Sequence, residues 1–330
     1  MNNLRKIFII FFLIFKTFSQ AQVLLPSNES AFETQYNFNP LIIKQKGIKR
    51  ITFEILDKKD FEVAVNKNLV ETYEFNADGL LTRFYFTIIS KTFEKHVSVY
   101  DKKGRASYIV ENEYVYDTIS TSYFYSGKNL LLKRFHDGNS YYESRYFRYD
   151  KEGNLTRELR FKETNNSANK HLFILGNQVQ LSEDSFQYHK YGQRQIKCIC
   201  LNNENRPYKE RTINLDSLGR KKNVDEMYVA ASWLVQRQRF EYSADGITKA
   251  EFDGNADNLV VLRNMYEYDA NHELYAEKQY RNDVLLREIN YINDKQNQLL
   301  NSFIIRDPAL KSLRIVKLKY DFAMLGKNGG

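Results

Sequence analysis

Phe147-Arg148-Tyr149-Asp150-Lys151-Glu152-Gly153-Asn154-Leu155 is the stretch that decides the fold. Two aromatics separated by one residue point to the same face of a β-strand, and both suit a pleated, packed surface. The Asp that follows accepts hydrogen bonds from the backbone just ahead of it and opens a type I turn. The Gly three residues later supplies the positive φ that such a turn needs. A type I turn ending in a left-handed residue is a common hairpin connection with a bulge, so the chain reverses at Asp150.

The pattern returns along the chain as aromatic, any, aromatic, Asp/Asn/Ser, any, any, Gly/Asn, any, apolar. Copies start at Tyr73-Glu74-Phe75-Asn76 with Gly79, Val99-Tyr100-Asp101 with Gly104, and Tyr123-Phe124-Tyr125-Ser126 with Asn129. Further copies are Phe186-Gln187-Tyr188-His189 with Gly192, Ile199-Cys200-Leu201-Asn202 with Asn205, and Ile213-Asn214-Leu215-Asp216 with Gly219. The last three are Phe240-Glu241-Tyr242-Ser243 with Gly246, Tyr266-Glu267-Tyr268-Asp269 with His272, and Tyr291-Ile292-Asn293-Asp294 with Asn297. Where Gly is missing, Asn or His replaces it, the residue types that best tolerate the left-handed region. Most anchors lie 24 to 27 residues apart, with exceptions of 39, 13 and 14. A fixed period of this size marks a repeat architecture.

One reversal per 25-residue unit would demand strands of about twenty residues, well beyond the usual 3 to 10, so a second turn is expected midway. Asp117-Thr118-Ile119-Ser120, His136-Asp137-Gly138-Asn139, Thr164-Asn165-Asn166-Ser167, Asp253-Gly254-Asn255 and Arg281-Asn282-Asp283 are the candidates. The half-period anchors at His189 and Asp216 are read as the strong motif on the opposite edge. The expected fold is all-β, an antiparallel meander of about twenty strands of roughly 8 to 10 residues in a long, strongly twisted and curled repeat sheet. Laid flat it would approach about 100 Å, so it must curl, split or close. Strands such as 141–148 carry charge on both faces, which argues against an outer-membrane barrel with its uninterrupted apolar outer face.

Composition agrees with a packed β-protein. The chain has 24 Tyr and 23 Phe against 4 Pro and 14 Gly in 330 residues, which excludes a disordered polymer. Two cysteines in so long a chain exclude a disulfide scaffold. Residues 1–21 read as a cleaved secretory signal: Arg5 and Lys6, an apolar run from Ile7 to Phe15, then Ser19-Gln20-Ala21. The run is short for a membrane anchor, and no later segment could span as a helix, so no transmembrane segment is expected after signal removal. Three bases and no acid precede Gln22, so the formal charge falls from +8 to +5 on removal. Lys and Arg alternate with Glu and Asp in what remains, which together with export disfavours nucleic acid as a partner. Residues 22–48, with Pro26 and Pro40, form an N-terminal cap or docking arm, 49–322 the repeat domain, and 323–330 a frayed tail.

With tyrosine, aspartate and glycine recurring in this way, residues of roughly 50 to 300 resemble the YD-repeat (Rhs-type) family of exported bacterial proteins, Tyr149 to Leu155 being the closest copy. The resemblance implies a curved β-sheet that wraps into a spiral or shell. The chain departs from toxin-bearing members in having few repeats, no domain after Tyr320 and no Asp-Pro-rich processing motif near its end. Its Asn-, Lys-, Ile- and Phe-rich character also looks like a Bacteroidota protein. Without that phylum's C-terminal sorting domain, this implies a periplasmic or outer-membrane-associated location.

No residue set here reads as catalytic, cofactor-binding or metal-binding, and no cofactor is expected. Cys198 and Cys200 flank Ile199 on a strand, so both thiols share a face at a Cα spacing of about 6.5 to 7 Å that would strain a bridge. Unpaired packing cysteines are the expectation over a disulfide or a metal site. His96, His136, His171, His189 and His272 are scattered. Asp253-Gly254-Asn255-Ala256-Asp257 begins like a calcium loop, but Asn258 and Asn264 replace the glycine and glutamate, so it reads as a hairpin loop. Trp233 sits in the apolar stretch Tyr228 to Val235 and reads as core. Asp117-Thr118-Ile119 and Asp216-Ser217-Leu218 look like Bacteroidota O-glycosylation sites. No nucleophile elbow, zinc helix, phosphate loop or dinucleotide fingerprint is present. The expected function is therefore non-catalytic: a protein-binding accessory subunit of an outer-membrane complex, for instance over the periplasmic mouth of a translocon. A surface polysaccharide-binding or adhesion module is the alternative, through sugars stacking on Tyr-rich faces, and a glycan-active enzyme ranks third.

Overall fold

The computed structural model describes residues 22–26, 36–59, 61–100, 106–138, 141–169, 172–230, 233–254, 260–294, 296 and 299–323. Residues 1–21, expected to be the export signal, and all of the expected 323–330 tail but Ala323 lie outside them. After the short ladder of β1 (Leu24–Leu25) with β2 (Asn37–Phe38) comes a single helix, α1 (Pro40–Lys46). Eighteen strands follow in strict up-and-down order. They are β3 (Ile48–Lys59), β4 (Val65–Phe75), β5 (Leu81–Tyr100), β6 (Ala106–Ser126), β7 (Asn129–His136) and β8 (Tyr141–Tyr149), then β9 (Leu155–Asn165), β10 (Leu175–Tyr191), β11 (Gln195–Leu201), β12 (Pro207–Leu215), β13 (Lys221–Tyr228) and β14 (Trp233–Tyr242), and last β15 (Ile247–Gly254), β16 (Val261–Tyr268), β17 (Leu274–Arg281), β18 (Val284–Asp294), β19 (Leu299–Asp307) and β20 (Ser312–Phe322).

The sheet closes. β20 pairs with β3 from Ser312↔Lys59 to Phe322↔Ile48, giving an antiparallel barrel in place of the expected open, curled sheet. Closure removes both edges, and the first and last strands meet through apolar partners, Ile55 with Val316 and Phe53 with Leu318. Eighteen strands at about 4.8 Å and a tilt near 40° enclose a bore of roughly 35 Å if round.

The turns work as the repeat implies. Oδ1 of Asn76, Asp150, Asn202, Asp216 and Asp269 each accepts the backbone N–H groups two and four residues ahead, at 2.8 to 3.0 Å. The residue three ahead takes positive φ in every case: Gly79, Gly153, Asn205, Gly219 and His272. The 126–129 turn is a correction, since Gly127 takes the positive φ and Asn129 already pairs with Ser126. The turns of the copies at Asp101 and Asp294 reach residues outside those described.

The tyrosine just before an anchor has its own task. Tyr149, Tyr242, Tyr268 and Tyr320 donate their hydroxyls to the carbonyls of Leu130, Lys221, Ile247 and Leu300, each near the start of the neighbouring strand. Tyr320-Asp321 is thus a further copy that the sequence reading passed over.

Two midway expectations fail. Asp117 to Ser120 is no turn: β6 runs through it, paired with β5 from Ser122 to Ala106. Strands of 20 and 21 residues result, because long β-branched and aromatic runs hold the ladder without a breaking Gly or Pro. The second concerns the half-period anchors. Following the strands up and down puts the turns after β10 and β12 at the same end as the Asp150 turn, and the Asn202 turn at the other. The remaining midway turns fall where expected, with Asn282 and Asp283 both at positive φ as a two-residue hairpin requires.

Alternation along each strand separates two faces, and cross-strand partners keep them consistent around the ring. Both buried clusters lie on one face, which is therefore the concave one. The first contains Ile51, Phe53, Tyr73, Phe303 and Val316, and the second Val224, Phe240, Phe252 and Tyr266. The N-terminal segment covers the first cluster. Tyr36 places its ring 5.2 Å from Phe53 and 5.3 Å from Phe303, and Ile42 and Ile43 of α1 are buried. Helix α1 starts on the Asn39 cap with Pro40 at its first turn and stops at left-handed Gly47.

The outer face is an ion-pair lattice. Arg237 meets Asp225, Arg239 meets Glu251 and Asp253, Lys249 meets Glu241, Lys278 meets Glu267, and Arg50 meets Glu74 and Asp321. A lipid-facing wall needs an apolar band at this level, and these pairs interrupt one; further pairs, Asp57 with Arg314 and Glu226 with Arg211, lie on the inner face. Among the described residues no helix is long and apolar enough to cross a membrane.

Candidate interaction surface

Within the lumen, Glu277 accepts from Gln279 at 2.7 Å and Tyr291 at 3.1 Å, while Arg287 donates to Gln279 at 3.0 Å. Glu71 accepts from Tyr73 at 2.8 Å. Burial is the main cause that raises both Glu71 and Glu277 above the usual carboxylate range. The tyrosines beside them are pushed up by burial and by those carboxylates. This set faces the N-terminal segment, whose Tyr36 lies in the field of both glutamates.

Cys198 and Cys200 project from the inner face of β11, buried and without a disulfide. Their cross-strand partners are Tyr188 and Phe186 on one side and Arg211 and Lys209 on the other. Cys200 and Tyr188 hydrogen-bond to Cys198 and favour its thiolate, which lowers Cys198 and raises Cys200. Arg211, opposite Cys198, pairs in turn with Glu226 at 2.8 Å.

A second carboxylate is buried on the outer face. Glu163 of β9 takes hydrogen bonds from Ser144 at 2.5 Å, Arg134 at 3.1 Å, Tyr146 at 2.7 Å and Gln178 at 2.7 Å. The ring of Phe173 lies 3.6 Å from the Arg134 guanidinium and covers the group. These donors lower Glu163 despite its burial. With four donors on its two oxygens, it ties β7, β8 and β10 to β9.

The histidines do not converge. His136 stacks on Tyr142, His189 lies opposite Lys197, and His272 Nδ1 is 2.5 Å from Asp245. His171 and the side chain of His96 lie outside the described residues, as does the side chain of Trp233. Asp253 is engaged by Arg239, and residues 255–259 are not described. Among the described residues no three His, Cys, Asp or Glu side chains are grouped as a metal site. Of the two glycosylation-like tripeptides, 117–119 is inside β6 and 216–218 is in a turn with Leu218 exposed.

The two rims differ. The Asp150 end carries most of the Asx turns and is polar, with a cleft of about 680 Å³ beside α1 lined by Lys44, Arg50, Glu74 and Asp321. The far end carries apolar tips on successive loops: Val284 after β17, Leu310 after β19, and Phe61 with Val63 after β3. Phe61 is 106% exposed and has a φ of 65°, a left-handed conformation that is strained for a bulky side chain. Val63 is 84% and Leu310 72% exposed. Neither tip belongs to the repeat, so periodicity did not point to them. An isolated Phe between Asp60 and Glu62 was the available signal.

The hairpin of β5 and β6 rises from the same end. β4 pairs with β5 only as far as Phe86, and β7 with β6 only from Ser120, while β5 and β6 pair with each other out to Tyr100↔Ala106. Past those points lies a two-stranded arm of about 45 Å with both outer edges unpaired among the described residues. Tyr116 ties its base down by donating to the Lys67 carbonyl at 2.7 Å.

No family model matches the chain, and no curated protein matches it. Among solved structures it is similar to a porin-like protein from Bacteroides uniformis at 11% identity and a TM-score of 0.38, covering 84% of this chain and 97% of that one. A porin-like protein from Bacteroides vulgatus matches at 12% identity and a TM-score of 0.27, with 81% and 97% covered. A Tc holotoxin pore from Photorhabdus luminescens matches at 9% identity and a TM-score of 0.29, with 74% of this chain and 19% of that one covered.

Proposed function

We propose that the chain is an exported, non-catalytic β-barrel that binds another protein in the cell envelope, as an accessory subunit of an outer-membrane complex such as one covering the periplasmic mouth of a translocon. The observation that carries this reading is the far rim, where Phe61, Val63, Leu310 and Val284 stand exposed on neighbouring loops. Apolar tips of this size have no partner within the barrel, and a strained, fully exposed aromatic is the kind of anchor that fills a pocket on a protein partner. The charged wall supports a location beside the membrane rather than within it, and the signal-like residues 1–21 support export. The polysaccharide reading gains nothing specific, since the motif tyrosines that would stack on sugars face the lumen.

The test is purification of the tagged chain from envelope membranes after cross-linking, alongside the variants Phe61→Asp and Leu310→Asp. A stoichiometric membrane-protein partner that is lost with either variant supports the proposal. Retention of that partner by both variants, or its absence with wild type, refutes it.

A further inference from the structure

We infer that Cys198 and Cys200 form a two-coordinate site for a soft monovalent cation, copper(I) or silver(I), on the inner face of β11. The thiols are two residues apart on one strand, so they project to the same side, and they are buried at 3% and 1% exposure. Both are free, and a Cα spacing of about 6.5 to 7 Å along an extended strand disfavours a bridge between them. A buried cysteine that only packs sits among apolar groups and is inert. Here Arg211 and Lys209 stand opposite the pair on β12, and Tyr188 stands opposite Cys198 on β10. The sulfurs reach one another, since Cys200 hydrogen-bonds to Cys198. Tyr188, Lys209 and Arg211 are half-buried, so movable side chains separate the pair from the lumen.

Donor number and charge select the ion. Zinc asks for four ligands, and among the described residues no three His, Cys, Asp or Glu side chains group together. Thiolates favour soft copper(I), and a closed-shell monovalent ion is satisfied by two of them in line. At about 2.3 Å per metal–sulfur bond the S–M–S unit spans about 4.6 Å, which hydrogen-bonded thiols reach by a small rotation about χ1. One ion enters and two protons leave: two S–H bonds break, two sulfur–metal bonds form, and no oxidation state changes. The Cys200 hydrogen bond, then Tyr188, Arg211 and Lys209, lower the Cys198 thiol to about 7, so part of that proton release precedes binding. The complex carries one negative charge, and a buried charge needs a counter-charge. Arg211 and Lys209 share one carboxylate, Glu226, at 2.8 and 3.1 Å, so those three groups carry one positive charge between them. Strand β11 lies about halfway round the ring from β3 and β20, so the site does not depend on the function proposed for the apolar tips.

The test is an anaerobic titration of the reduced, signal-free chain with copper(I) against the chelator bicinchoninate. The chain should take one equivalent from the chelator, and Cys198→Ser and Cys200→Ser should each lower the affinity by roughly a hundredfold or more. Silver(I) should displace the copper one for one, and zinc(II) should not. A serine variant that unfolds would also lose binding, so Cys198→Ala and Cys200→Ala are measured beside it with far-UV spectra. X-ray absorption of the loaded wild type should show two thiolate sulfurs and no nitrogen at copper, which identifies the pair without any variant because the chain has only two cysteines. No copper taken from the chelator overturns the inference. So does a folded alanine variant with wild-type affinity, a disulfide between the two cysteines in the purified chain, or nitrogen ligands at the metal.

Discussion

Gly79 and Gly153 occupy the same place in the same turn, with φ of 79° and 85°, yet only one of them touches the N-terminal segment. A Cβ at Gly153 meets nothing within 4 Å. At Gly79 it would lie 2.0 Å from the Pro40 carbonyl oxygen and 3.0 Å from the Lys44 nitrogen, both backbone atoms of α1. Replacing either glycine by Ala forces an L-residue into the left-handed region, at about 1 to 2 kcal/mol. At Gly79 the helix must also move, and the clash is with backbone, so no side chain can rotate out of the way. If α1 lifts away, Ile42 and Ile43, 3% and 0% exposed, lose their cover at about 2 kcal/mol each.

Gly153→Ala is thus expected to cost about 1.5 kcal/mol and Gly79→Ala about 5 kcal/mol. Urea unfolding of the two variants, followed by tyrosine fluorescence, gives the difference as a shift in midpoint at constant slope. Limited proteolysis supplies a second readout: cleavage between residues 36 and 47 should accelerate in Gly79→Ala alone. Equal midpoints and equal cleavage would refute the placement of α1 against this turn.

Tyr268→Phe removes the hydroxyl that satisfies the Ile247 carbonyl, and thermal melts should show a loss of about 1 kcal/mol, against none for an exposed tyrosine such as Tyr191. Glu163→Ala leaves the Arg134 charge buried without its carboxylate and should cost about 3 kcal/mol in urea. Protection of the amides of β8 and β9 beside it should fall with it. Glu277→Gln tests the lumen: burial raises the Glu277 carboxyl, so its contribution is fully favourable below the unfolded value near 4.5 and is lost as pH rises through the higher folded value. The variant does not ionise there, so its stability relative to wild type should grow from pH 4 to pH 8, and a difference that is flat or falls with pH contradicts the assignment. Gly153→Val should destabilise well beyond replacement of Asn154, whose side chain makes only an exposed contact with Asp150.

The repeat made the turns legible because their chemistry is local. Asp216, for example, finds both its donor partners within four residues, so spacing alone reveals it. Closure was not legible, since it joins Ile51 to Tyr320 across almost the whole chain and both strands look like any others. The length of β5 and β6 was hidden for the opposite reason. Asp117 and Ser120 are good turn formers, yet they sit in a ladder where Ile88 and Tyr85 face them, and cross-strand pairing outweighs local preference. The polarity of the barrel was half visible: the aromatic pairs marked one packed face, but only the pairing around the full ring shows that this face is the inner one. Phe61 and the other apolar tips carry no period at all, and so the surface through which the protein is proposed to act was one that the repeat could not reveal.

Closure also gives the N-terminal segment a structural task beyond covering an edge. The junction of β3 and β20 joins residues about 260 apart in sequence, and bringing them together carries the largest loop-closure cost in the molecule. The segment bridges that junction from inside. Tyr36 touches Phe53 of β3 and Phe303 of β19, Phe38 touches Phe75 of β4, Gln22 accepts from the Leu274 amide of β17, and the Gly47 carbonyl accepts from Ala323 just past β20. It therefore gains most of its contacts only when both flanks are in place, and acts as a clasp that rewards the closed ring over an open one. A chain lacking residues 22–46 should keep its β-type far-UV spectrum, because each hairpin and turn is local, while exposing the edges of β3 and β20. Rapid hydrogen exchange at 48–59 and 312–322, with slow exchange kept in β12 to β16, is the expected signature. Uniform protection around the ring would show instead that the strand pairing of β3 with β20 suffices without the clasp.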